Sequence, residues 1–278
     1  MKRKKNAALI AVIAVFGAAL LISGGILAYR MISANNAEDT YKGLSESLVS
    51  WVDTDPTLPA TEPATQAQTP AQTEAPATEA PVPVENPVNF EELLQINPDV
   101  YSWITVPDTN IDYPVAQSDY DDNFYLSHDV YKNYSFPGTI YSQSCNKKDY
   151  SDRVTVLYGH NMLNGSMFAN EYMFMDKAFF DSHPYFYVYT ADRKLTYEVV
   201  SVFEYDDRHI MNSFDFSDDK VFQDWIDATL NPRSLYCNVR EGVKLDLNSK
   251  LLVLSTCLNS GDGRLLLEGV LIKDEPAK

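Results

Sequence analysis

The chain has 278 residues, room for one large domain with accessory segments or for two small domains. Acidic side chains number 39 against 22 basic ones, a formal net charge of -17, which argues against nucleic acid as a partner because phosphate neutralisation needs clustered Lys and Arg. The same balance argues against a domain lying flat on an anionic lipid surface and predicts one that stands off from it.

The chain opens with MKRKK, followed by an apolar run from Ala7 to Tyr29 that carries no charge. Roughly 20 apolar residues cross a bilayer core, and this run exceeds the apolar stretch of about 7–15 residues in a cleaved signal peptide. A cleavage site near Ser33 to Ala37 stays open as the alternative. Lys2, Arg3, Lys4 and Lys5 outweigh the lone Arg30 beyond the run, so the positive-inside bias keeps residues 1–6 in the cytoplasm and exports everything after residue 30. The expectation is a single-pass anchor at 7–29 in the cell membrane, with an extracellular domain. Residues 30–52 form a juxtamembrane segment in which YKGLSESLVSWV suits a short helix. Residues 53–88 are Thr, Pro, Ala, Gln and Glu with almost no large apolar side chain, a composition that predicts a disordered, extended tether.

From residue 89 to 274 the composition changes to that of a compact domain, leaving 275–278 as a tail. PGTIYSQ, RVTVLYG, YFYVYT, KLTYEVVSVFEY, KLLVLST and LLLEGVLI read as strands, being β-branched or aromatic and bounded by turn residues. NFEELLQI and DDKVFQDWIDATL read as helices; in the second, Val221, Phe222, Trp225, Ile226 and Leu230 recur at helical spacing behind Ser217 as N-cap. The aromatic-rich regions 118–128 and 165–181 are compatible with helix. Many short strands with few helices predict a mainly β fold, a barrel or sandwich with helical insertions.

Two of the strand-like runs end in a side chain capable of chemistry. Cys257 closes KLLVLST, and His160 follows RVTVLYG. A strand end holds its backbone firmly while the side chain faces a cleft, and a thiol becomes an effective nucleophile when a histidine or cation stabilises the thiolate. Either residue alone reads more naturally as a core cysteine or a hydrogen-bonded histidine; the parallel placement strengthens the case for both. Arg264 follows Cys257 across the glycine-containing turn LNSGDG and then LLLEGVLI resumes as a strand, so the two are expected on neighbouring strands of a hairpin. An arginine so placed can stabilise an oxyanion or hold a substrate carbonyl. His128, His183 and His209 end no strand and are left aside. Neither CxxC nor HExxH spacing occurs, so no metal and no cofactor are expected. Cysteines number three, Cys145, Cys237 and Cys257, so at least one is unpaired. A Cys145–Cys237 disulfide outside the cell stays open.

The order His before Cys excludes a papain-like arrangement, and the caspase signature is absent. YGHNM and LSTC followed closely by arginine resemble the sortases, the cysteine transpeptidases of Gram-positive cell surfaces. The resemblance runs from about Phe90 to Ile272, and LLQINPDVYSWITVPDTNIDYPV, DDNFYLSHD, FPGTIYS and the helical insertion before the cysteine strand are most like class B. It implies a sortase-type closed β-barrel of about eight strands with an N-terminal helix. It also implies His160 as acid/base, Cys257 as nucleophile and Arg264 as oxyanion stabiliser. Ser255 and Leu126 match substrate-contacting positions. Two departures stand out: Val253 begins VLSTC where the family carries Thr, and the asparagine of its DN-x-YYL segment is displaced or replaced at Asp122 and Asn123.

The implied reaction cleaves a C-terminal sorting signal after Thr through a Cys257 thioester. It transfers the surface protein to an amine of a peptidoglycan precursor or of a pilin, for cell wall anchoring or pilus assembly. A membrane-anchored cysteine peptidase without transpeptidation, or a non-catalytic surface-binding domain on the same fold, are the alternatives.

Overall fold

Alternation along three strands organises the molecule. In β8 (Leu251–Cys257), Leu252 and Leu254 face the barrel interior, whereas Leu251 and Val253 face a second apolar core outside it. The computed structural model describes residues 2–51 and 83–278. Eight strands close the barrel: β1 (Val100–Thr105), β2 (Asp112–Ala116), β3 (Ile140–Tyr141), β4 (Val154–Tyr158), β5 (Tyr185–Tyr189), β6 (Arg193–Tyr205), β8 and β9 (Arg264–Pro276), in the order β5-β1-β2-β3-β4-β8-β9-β6, with β5 pairing back onto β6. A ninth strand, β7 (Cys237–Val239), lies outside on β6. Two neighbouring pairs are parallel, β2 with β3 and β4 with β8.

All six sequence-predicted strands are present. The reading omitted β1, β2 and β7. Pro114 sits inside β2, opposite Trp103, and a proline within a run ordinarily argues against a strand; β7 has only three residues. The helices are α1 (Lys2–Leu48), α2 (Phe90–Ile96), α3 (Lys177–Ser182), α4 (Ile210–Ser213) and α5 (Asp219–Leu230). The N-cap of α5 is Asp218, which accepts from the backbone N–H groups of Lys220 and Val221; Ser217 instead donates to Asp215. Residues 118–128 contain only a 3-10 turn, Phe124–Leu126, while 165–181 holds the 3-10 stretch Phe168–Met175 and the start of α3.

Phe222, Trp225 and Ile226 of α5 pack on Val154 and Val156 of β4, Val253 of β8 and Leu266 of β9, forming the outer core. Within it Glu268 of β9 is fully buried, its Oε2 2.5 Å from Thr229 Oγ1, which also lies 3.0 Å from the Trp225 carbonyl. Thr229 donates to the Glu268 carboxyl, a contact that favours its charged form. Burial outweighs that contact and pushes Glu268 up from an ordinary 4.5 to about 8.

The juxtamembrane segment belongs to a helix far longer than YKGLSESLVSWV suggested. α1 runs unbroken through the apolar run, and within Ile13–Leu48 it carries a window of mean hydropathy 1.7, long and apolar enough to cross a membrane. Its second half buries Ala34, Ala37, Tyr41, Leu44 and Leu48 on one face, the 3–4 spacing of an amphipathic helix. Tyr41 donates to the Gly138 carbonyl at 2.8 Å, and Ser45 donates to Asp112 at 2.5 Å.

Most of the expected tether lies outside the described residues, but its flanks are joined. Val49 bridges Val88, Ser50 donates to the Pro87 carbonyl and Asn89 to the Leu48 carbonyl. The segment between them therefore begins and ends at one place on the domain. Of residues 275–278, set apart above as a tail, Glu275 and Pro276 end β9 and the buried Ala277 bridges Val84.

Candidate active site

Strand register brings the predicted residues into one row. In the parallel β4–β8 pair Tyr158 stands opposite Ser255, so His160 and Cys257, each two residues further on, leave adjacent strand ends together. Across the antiparallel β8–β9 pair Cys257 stands opposite Arg264. Period-two alternation puts Cys257 on the side of Val253, and Arg264 on the side of Leu266, which is the outer face. Near one end this face is sealed by α5; at the other it carries His160, Cys257 and Arg264, each partly exposed.

Arg264 Nη1 donates to Cys257 Sγ at 2.7 Å. The His160 ring stacks on Phe136, centroids 5.5 Å apart and planes at 24°, and its Nε2 lies 2.9 Å from the Leu126 carbonyl. A carbonyl only accepts, so Nε2 carries the proton in this arrangement. Burial holds His160 below its usual 6.5; the Leu126 hydrogen bond opposes that shift, and the Arg264 charge reinforces it. In this structure the thiol is thus engaged by the cation, and the imidazole by the Phe124–Leu126 turn.

The backbone around the row is tied at several points. Gly159 N–H donates to the Ser255 carbonyl at 3.2 Å, and Thr256 Oγ1 donates to the Gly159 carbonyl at 2.8 Å. A Cβ at Gly159 would lie 2.5 Å from Ile140 Cδ1 and 2.7 Å from Phe168 Cδ2, so only glycine lets β4 pass there. In the β8–β9 turn, Gly263 adopts φ +123° with its α-carbon against the Tyr205 carbonyl, where a Cβ would come within 2.5 Å. Asn161 Nδ2 reaches the Cys257 carbonyl at 3.0 Å and Asn259 Oδ1 at 2.8 Å, binding the segment after the histidine to the segment after the cysteine.

Ser255 is buried, on the same face as Cys257 and two residues before it; Leu126 is 41% exposed beside His160, which it contacts through its carbonyl. The other histidines are engaged elsewhere: His128 stacks on Phe124, His183 pairs with Asp108 at 2.9 Å, and His209 caps α4. All three cysteines are free, so Cys145 and Cys237 are not paired. Sequence reasoning missed Phe136 and Asn161. Asn161 directly follows His160, a signal that was available, whereas Phe136 opens the FPGTIYS motif but nothing local ties its ring to the histidine.

No protein-family model matches the chain. Over 186 residues it is 31% identical to sortase B of Listeria monocytogenes, covering 66% of this chain and 74% of that protein. The structure of Clostridium perfringens sortase B superposes with a TM-score of 0.61 at 33% identity, covering 66% of this chain and all of the other. A Streptococcus pyogenes class B sortase involved in pilus biogenesis superposes at 0.55 with 30% identity, covering 66% of this chain and 98% of the other.

Proposed function

Because the chain belongs to the class B sortases, which are cysteine transpeptidases, we propose that Cys257 is its nucleophile, His160 its general acid and base, and Arg264 its oxyanion cation. The observation that carries this reading is the row itself, three side chains of the required chemistry on three adjacent strands with a guanidinium N–H directed at the sulfur.

The reaction opens as the Cys257 thiol gives its proton to His160 and Sγ attacks the carbonyl carbon of a threonine within a C-terminal sorting signal. Negative charge develops on that carbonyl oxygen, one bond from the sulfur, where Arg264 already points. Collapse of the tetrahedral intermediate breaks the C–N bond, and His160 delivers a proton to the departing amine. The resulting thioester is resolved by a second amine: as the new amide forms and the C–S bond breaks, His160 takes a proton from that amine and returns it to the departing Cys257 sulfur. For this sequence His160 Nε2 must release the Leu126 carbonyl and turn to the substrate. To Ser255, two residues before the nucleophile on the same face, and to Leu126, exposed beside the histidine, we assign contacts with the incoming peptide, as the family resemblance supports.

The amine belongs to a lipid-linked peptidoglycan precursor or to a pilin, the second supported by the S. pyogenes relative's role in pilus biogenesis. α1 anchors the enzyme in the cell membrane as a single span with a cytoplasmic N-terminus, as the basic cluster before its apolar run supports. Incubation with a library of sorting-signal peptides and an amine acceptor tests the reaction: ligated product and a mass-detectable acyl adduct on Cys257 are expected. Cleavage with no ligated product at any amine concentration would show a peptidase instead.

A further inference from the structure

α1 joins its apolar run to the domain without a break, and the residues that bound the candidate site grip it where that run ends. The Arg30 guanidinium lies 4.8 Å from the centroid of Phe136, the ring on which His160 stacks. Tyr134, 67% exposed, lines a groove with Tyr29, Ile32 and Ser33 of α1. On the other side Asn164, four residues past His160, reaches Asn35 Oδ1 at 3.2 Å and Glu38 Oε2 at 2.9 Å. Met31 and Ile32, just past Arg30, are themselves exposed.

A helix rises about 1.5 Å per residue, so the run from Ala7 to Tyr29 covers about 35 Å. The hydrocarbon core it must cross is about 30 Å thick. Tyr29 therefore reaches the outer edge of that core and Arg30 the headgroups, the depth at which tyrosine and snorkelling arginine concentrate. Nothing flexible intervenes: the residues flanking the expected tether meet on the domain, beyond the docked half of α1.

We infer that α1 holds the catalytic row of this sortase at the level of the lipid headgroups, with Tyr134 resting on the bilayer surface beside the helix. The inference rests on the reading of α1 as a membrane anchor and adds to it a fixed depth for the active site. The net charge of -17 does not prevent the contact, because the continuous helix imposes it, Tyr134, Met31 and Ile32 are uncharged, and cationic Arg30 lies on the same face as Asp129 of the groove. An acyl donor emerging from the membrane and an amine carried on a lipid then meet the thiol without leaving the surface.

Spin-label depth measurement on the full chain tests this, in a background with Cys145, Cys237 and Cys257 replaced by Ala. A nitroxide at Tyr134→Cys is compared with one at Glu46→Cys, on the exposed side of α1 about 24 Å further along the helix. The chains are reconstituted into phosphatidylcholine–phosphatidylglycerol vesicles. The expected result is a ratio of oxygen to water-soluble nickel-chelate collisions several-fold higher at 134 than at 46. Equal ratios in chains that float with the vesicles would overturn the inference and leave the anchor standing. Failure to float would overturn both. A high ratio at 134 accompanied by spin–spin broadening, lost on dilution with unlabelled chain, would replace the bilayer with a second copy as the occupant of this face.

Discussion

The outer face of β4, β8 and β9 serves two ends along its length, and the contrast shows what makes a site. Beneath α5, Val154, Val156, Val253 and Leu266 are sealed, and even Glu268 is stripped of water and held neutral. Two to four residues further along, on the same side, His160, Cys257 and Arg264 stand partly open. Backbone geometry and alternation are shared; what differs is the cover. The aromatic rings of α5 turn one end of the face into core, and beyond their reach the charged and nucleophilic groups stay partly exposed.

Substitutions at the two ends should therefore separate activity from stability. Cys257→Ala should abolish acyl-adduct formation and transpeptidation while leaving the thermal midpoint nearly unchanged; a variant that still transferred peptide to amine would remove the cysteine from the mechanism. Arg264→Lys keeps the charge but not the fork directed at the sulfur, and should lower kcat/KM by roughly 100- to 1,000-fold, the usual cost of losing an oxyanion donor. At the sealed end, Trp225→Ala should cost about 3–5 kcal/mol in denaturant unfolding, with kcat per folded molecule close to wild type.

Gly159→Ala falls between the two ends. Its Cβ would crowd Ile140 and Phe168, so a loss of about 1–3 kcal/mol is expected, together with reduced kcat because His160 is the next residue. Retention of both values would mean that β4 shifts freely at its end.

The pH dependence of stability gives the finest comparison. In the folded state Glu268 releases its proton near 8, against 4.5 ordinarily. Between those values the folded protein binds the extra proton, so this contribution is fully present below about 4.5 and is lost as pH rises to about 8. Glu268→Gln should remove that slope. The variant should gain on wild type in unfolding free energy as pH rises from 5 to 9, and parallel pH profiles would place solvent beside the carboxylate.

The six strand-like runs, α2 and α5 were legible because each follows a period set by local geometry. The pairing of strand ends with His160 and Cys257 was legible for the same reason, since a reactive side chain at the edge of an apolar run is a local signal. Arg264 was found through the hairpin that its turn sequence required. Phe136 and the Leu126 carbonyl were not, because they reach His160 from the 3-10 turn Phe124–Leu126 and the loop between it and β3, which packs against α1 through Tyr41. The role of residues 30–48 was hidden for a related reason: Ala34, Ala37, Tyr41, Leu44 and Leu48 have an amphipathic spacing, but only the folded barrel supplies the surface that buries them.

By itself, the sequence determined most of the element types, the apolar helix and the three side chains proposed to carry the reaction, all of which follow from short-range periodicity and side-chain chemistry. Tertiary structure alone decided that those side chains form a row, that the helix leaving the apolar run is built into the barrel, and that α5 covers one end of the outer face and not the other. Each of these is a contact between residues far apart in the chain, settled by strand register and complementary packing rather than by any local preference.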